Sequence, residues 1–230
     1  MKKTILLSLL LAVGAFSFAQ TTILEENPGS PGEEPKDGPN LKNFQHFYVG
    51  YGLVDAIKED YADFQFGKSN ELVFGQRKKL KLTEWYSIGG ESELVLTNFH
   101  VNPDSSAFLS PKKELIRMTQ LGGAFYNRFN FGKRGNRIGS FFQIGIYGQW
   151  VINSKLIVHQ DAPSAKQIRT RTVNPDYINR WNYGLNAAIG FNRYVFTARY
   201  RLSDAFNTSK NPLYQNMPPI VFGVQIGIHK

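Results

Sequence analysis

Four histidines (His46, His100, His159 and His229) and no cysteine define what catalytic chemistry this chain can carry. Nucleophilic catalysis needs a base within hydrogen-bond reach of its hydroxyl or thiol. No His-x-Ser pair occurs. The one suggestive stretch is His100-Val101-Asn102-Pro103-Asp104-Ser105-Ser106, which gathers a histidine, a carboxylate and two hydroxyls in a polar segment. It matches no recognised catalytic spacing, so no catalytic residue is expected. The lack of cysteine removes thiol catalysis, disulfides and Cys-based zinc sites. Metal-ligand spacings, GxGxxG and P-loop patterns are also absent, so neither a metal nor a cofactor is expected.

What remains is charge embedded in alternating apolar segments: Glu91, Glu93, Arg117, Arg199 and Arg201, joined by Gln143, Tyr147 and Gln149. Side chains of a strand point alternately to opposite faces. From about residue 43 onward helical periodicity is absent, and period-two segments recur at 45–54, 70–80, 85–99, 114–131, 137–152, 181–192, 194–203 and 219–229. One face of these segments is large and apolar: Phe47, Val49 and Tyr51, then Leu185 and Ile189, Phe196 and Tyr200, and Phe222, Val224 and Ile226. The other face is small or polar, as with Gly50 and Gly52, Gly223, Gln225 and Gly227.

Connections between these segments alternate in length. Tight turns fall around 81–84, 132–136 and 192–193, and longer polar connections separate the other segments. Both ends of the alternating region fall on the short-turn side. Such a layout predicts an all-β, eight-stranded antiparallel transmembrane β-barrel over 43–230. An interior of eight strands is only wide enough for side chains. Glycines and polar groups suit it, and the bulky apolar face then turns outward to lipid. A lipocalin-like barrel would place the faces the other way round. Buried charges need partners, so Glu91, Glu93, Arg117, Gln143, Tyr147, Gln149, Arg199 and Arg201 are expected to form an interior polar network. In 114–131, Arg117 favours the interior for the odd positions, with a bulge switching parity further along. Aromatic residues gather at strand ends (Trp85, Tyr86, Phe129 and Phe131; Trp181, Tyr183, Phe191 and Tyr194), where amphipathic rings prefer a membrane interface.

The first 19 residues read as a signal peptide: Lys2 and Lys3, an apolar run to Phe18, and the small-x-small stretch Ser17-Phe18-Ala19. Residues 20–42, rich in Pro, Gly and Glu, read as a flexible periplasmic leader. The chain carries +9; residues 1–19 contribute +2 and residues 20–42 contribute −3, which leaves +10 on the remainder. Basic residues at the short-turn side (Lys78, Lys79, Lys133, Arg134 and Arg193) predict a periplasmic rim facing lipid phosphates or an acidic partner. The longest connection carries Lys166, Arg169 and Arg171 and could meet lipopolysaccharide phosphates or another surface subunit. No nucleic-acid motif is present, and nucleic acid is not an expected partner.

The FSFAQ ending of the signal peptide, the YGLNAAIGFNRYVFTARYRLSDAFN hairpin and the terminal PPIVFGVQIGI strand resemble small outer-membrane β-barrel proteins of Bacteroidota-type bacteria, the porin-like or PorT-like group. The likeness covers about 45–230 and rests on barrel pattern. It implies residence in the outer membrane and a non-enzymatic role as accessory or structural subunit of an envelope assembly, such as type IX secretion or outer-membrane assembly machinery. A small porin or surface-binding barrel, and a lipid A-modifying enzyme, are the alternative readings.

Overall fold

A chain that alternates large apolar with small or polar residues forms extended segments whose two faces need different surroundings. The computed structural model describes residues 38–55, 62–64, 67–103, 113–132, 137–162, 165–207, 209–210 and 218–229. Among the described residues it contains ten strands and no helix. They are β1 (Asn43–Val54), β2 (Ala62–Phe64), β3 (Asn70–Lys81), β4 (Tyr86–Pro103), β5 (Lys113–Phe131), β6 (Ser140–Ala162), β7 (Ala165–Val173), β8 (Trp181–Phe191), β9 (Tyr194–Arg201) and β10 (Ile220–Ile228).

Eight of these close into a barrel-like ring, in the order β1, β3, β4, β5, β6, β8, β9, β10 and back to β1, every pair antiparallel. The seam joins first strand to last, from Phe47 opposite Ile228 to Val54 opposite Val221. Closure leaves no unpaired edge around the ring. The three short connections lie at one end. Between β8 and β9 only Asn192 and Arg193 intervene, and Asn192 takes the left-handed conformation (φ 56°) that a two-residue hairpin favours.

The eight alternating segments become the eight strands of the ring, and two connections hold more structure than their polarity suggested. β6 runs 23 residues. Past Trp150 it leaves β8 and takes β7 as its partner, from Lys155 opposite Val173 to Ala162 opposite Ala165. β7 alternates Ile168, Thr170 and Thr172 with Arg169 and Arg171, and these β-branched residues favour a strand although the arginines made it read as loop. Similarly β2 pairs with the far end of β4.

Part of the expected leader is ordered. Residues 38–42 fold against the short-turn end, where Pro39 is buried and the Lys42 carbonyl accepts from the Lys81 amide at 2.7 Å. The expected signal peptide, residues 1–19, and the rest of the expected leader lie outside the described residues.

The interior is stratified. At the long-connection end Tyr177, Ile178, Ala205 and Phe206 form an apolar cap with Val54, Phe99, Val101, Ile116, Met118 and Val151. At the short-turn end Ile138, Phe141, Ala188 and Val195 form a smaller apolar cluster against Phe44. Between the two lies a polar layer.

Candidate functional site

Inward-facing positions of β1, β3, β4, β5, β6, β9 and β10 build the polar layer. Arg77 Nε donates to Glu91 Oε1 at 2.7 Å, and Arg77 Nη2 donates to Gln225 Oε1 at 2.7 Å. Gln143 Nε2 donates to the same Glu91 oxygen at 2.9 Å and accepts from Arg128 Nη2 at 3.0 Å. The Tyr48 hydroxyl bridges the two carboxylates, 2.9 Å from Glu91 Oε2 and 2.6 Å from Glu93 Oε1. Arg199 closes the layer by binding both oxygens of Glu93, at 2.7 and 2.8 Å, and Glu71 Oε1 at 3.1 Å. Arginine suits this place because its planar fork can satisfy two acceptors at once. Each of three guanidiniums also covers a ring: Arg77 over Tyr48 at 4.6 Å, Arg128 over Phe141 at 3.9 Å and Arg199 over Tyr147 at 5.7 Å.

Nearer the long connections, Asn182 Nδ2 donates to Gln120 Oε1 at 3.2 Å and Gln120 Nε2 to Thr97 Oγ1 at 3.0 Å. Above them, burial in the apolar cap, with Glu114 and Asp176 nearby, pushes the Tyr177 hydroxyl well above its usual range, so it stays neutral. At the other end His46 stacks on Phe44 (centroids 5.3 Å) and meets His229 edge-on at 5.5 Å.

Among the expected interior residues, Glu91, Glu93, Gln143, Tyr147, Gln149 and Arg199 are buried on the inner face. Arg201 is half-buried there and donates to the Pro218 carbonyl at 3.3 Å. Arg117 is a correction: it is exposed on the outer face. β5 keeps its even positions (Met118, Gln120, Tyr126, Arg128 and Asn130) inside along its whole length. The bulge instead lies in the partner strand, where Ile152 is the extra residue between Val151, opposite Gln120, and Asn153, opposite Thr119.

Of the basic rim, Lys78 and Arg193 are exposed. Lys79 is the second correction. It is buried inside the ring, donates to the Pro39 carbonyl at 2.5 Å and lies 5.8 Å from the Phe44 ring, so it is withheld from any outer phosphate or partner. Lys133 and Arg134 lie outside the described residues.

Phe47, Val49, Tyr51, Leu185, Ile189, Phe196, Tyr200, Phe222, Val224 and Ile226 all stand on the outer face. Aromatic residues mark both ends of it: Trp85 stacks with Phe129 (6.2 Å) near the short turns and Trp150 with Trp181 (5.9 Å) near the long connections. This band is interrupted on one side. A groove of about 760 Å³ opens over β1, β3, β4 and β5, lined by outer positions such as Gln45, Gln76, Lys78, Ser92 and Phe125 and also by the inward-facing Phe44, Lys79 and Glu91. His100 lies on the outer face of β4, and Asp104, Ser105 and Ser106 lie outside the described residues. Among the described residues no three His, Asp or Glu side chains are gathered to hold a metal ion.

No family model and no curated protein matches this sequence.

The network contains members that residue type alone did not single out: Arg77, Glu71, Arg128 and Gln120. Arg77 and Glu71 share parity with Val73 and Lys79, but the outer face of the same strand carries Gln76 and Lys78. With polar residues on both faces, the alternation there carried no sign of which side was inner. The available signal was strand register: Arg77 stands directly opposite Glu91.

Proposed function

We propose that this chain is an outer-membrane β-barrel whose filled interior passes no solute. We take its work to be non-enzymatic, as an accessory or structural subunit of an envelope assembly. The carrying observation is the contrast of the two faces: a ring of large apolar side chains outside and a closed network of charged hydrogen bonds inside. In water this arrangement would leave the apolar band uncovered, and patches of that size on soluble proteins are sites of association. In lipid it is the expected outside of a barrel. The eleven residues of β8 run from Trp181 to Phe191. At a rise of roughly 3.3 Å per residue and a tilt of about 40° they span roughly 25 Å, the height of a lipid-facing band.

The groove over β1, β3, β4 and β5 supports the accessory role. Glutamine and serine side chains facing hydrocarbon lack partners, whereas small residues let another transmembrane element approach closely. A partner in the same membrane that supplies hydrogen-bonding groups would satisfy Gln45, Gln76 and Ser92 together. The interior, tied across its diameter and capped at both ends, weighs against a porin.

The test is purification of tagged full-length chain from native membranes in mild detergent, beside a Gln76→Leu/Ser92→Leu variant. A stoichiometric partner with the native chain that is lost from the still-folded variant is the expected outcome. A lone monomer with steady channel activity would overturn the reading.

A further inference from the structure

A cationic face rises beyond the upper end of the apolar band. Past Trp150 the bulge at Ile152 resets the parity of β6, so Lys155, Ile157 and His159 share the outer face with Lys113, Leu115 and Arg117 of β5. On the other side of β6, Arg171 stands opposite Ile157, and Arg169 opposite His159. Strands lie roughly 4.8 Å apart and alternate residues roughly 6.6 Å apart. Five permanent cations (Lys113, Arg117, Lys155, Arg169 and Arg171) therefore occupy one patch three strands wide. Arg117 and Lys155 are directly opposed, an arrangement that destabilises a sheet unless an anion lies between. The acid of this part of β5, Glu114, has the opposite parity and faces the other way. Among the described residues none of the five makes an ion pair.

We infer that this face binds the headgroup of an anionic lipid bearing more than one phosphate, in the leaflet on the long-connection side; the inference rests on the membrane reading above. A free phosphate would need only the cations. Here the cations alternate with Leu115 and Val173 and stand directly beyond exposed Trp150 and Trp181, where the apolar wall ends. That is the level at which headgroups meet acyl chains, and long basic side chains reach toward phosphates from there. The patch is too broad for one phosphate, and its three arginines, Arg117, Arg169 and Arg171, can each offer a bidentate contact to a phosphate.

The experiment reconstitutes the full chain into phosphatidylcholine vesicles with or without bisphosphorylated lipid A and measures retained lipid A by native mass spectrometry. Lys155→Gln/Arg169→Gln/Arg171→Gln is compared with Lys78→Gln/Arg193→Gln at the opposite end. The expected result is a loss of lipid A affinity of ten- to hundredfold in the first variant, with none in the second and with monophosphorylated lipid A bound more weakly by the native chain. Equal retention by all three proteins overturns the inference and leaves the membrane reading standing. Displacement of lipid A by equimolar inorganic pyrophosphate also overturns it, because the site would then read phosphate alone. A native chain that fails to float with phosphatidylcholine vesicles overturns the membrane reading itself, and this inference with it.

Discussion

Arg199 of β9 grips Glu93 of β4 across the full diameter of the ring, with Nη2 2.7 and 2.8 Å from the two carboxylate oxygens. The two strands are four places apart in either direction around the eight. The contact therefore braces opposite walls rather than neighbouring ones, and its loss should weaken the whole ring. Removing one partner of a buried pair leaves an uncompensated charge, at a cost of about 3–5 kcal/mol. Arg199→Met should lower unfolding stability by that amount in urea titrations of the reconstituted chain. Adding Glu71→Gln and Glu93→Gln should restore most of the loss, because no unpaired carboxylate then remains.

The same brace predicts electrical silence. The native chain in planar bilayers should show no steady conductance steps, since the guanidinium–carboxylate layer occupies the bore and both ends are capped. Reproducible channels of fixed size would contradict this.

Interior glycines make room for large neighbours, which separates two otherwise similar substitutions. A methyl at Gly190 would overlap the buried Phe141 ring, whereas one at Gly148, on the outer face, would meet nothing within 4 Å. Gly190→Ala should cost about 1–3 kcal/mol as overpacking, and Gly148→Ala should change stability by less than about 0.5 kcal/mol. Paired urea titrations in one detergent would check the difference.

Phe222 stands on the outer face of β10, 54% exposed. Phe222→Arg should impair insertion, with a penalty reaching about 2–4 kcal/mol toward mid-bilayer, while Phe222→Leu should insert normally. The shift between folded and unfolded bands on unheated gels of the membrane fraction reports both.

The three tryptophans provide a depth gauge. Trp85 lies in the aromatic cluster near the short turns, and Trp150 and Trp181 stack near the long connections. Lipids brominated close to the headgroup should quench their fluorescence more than lipids brominated near the chain terminus. Stronger quenching from the chain terminus would contradict the proposed placement of the band.

Much of this fold was legible in the sequence because its signal is local. In Ile220, Phe222, Val224, Ile226 and Ile228 the period of two fixes a strand and separates its faces without reference to any other segment. Eight such segments and three tight turns were enough to predict the ring, and the seam pairs Gly52 with Gly223 and Gly50 with Gln225. Tertiary structure decided what alternation leaves open. Arg117 faces outward because β5 keeps one parity while the bulge sits in β6 across the ladder, and a single strand cannot announce an irregularity in its neighbour. Lys79 lies inward because it shares the parity of Arg77, and residues 38–42 fold back to offer it a carbonyl there. Arg77, Glu71 and Arg128 became one network with Glu91 and Arg199 only when closure carried distant strands to the same depth. Alternation is set within each strand, whereas the partner of a buried charge is set by register summed around the whole ring.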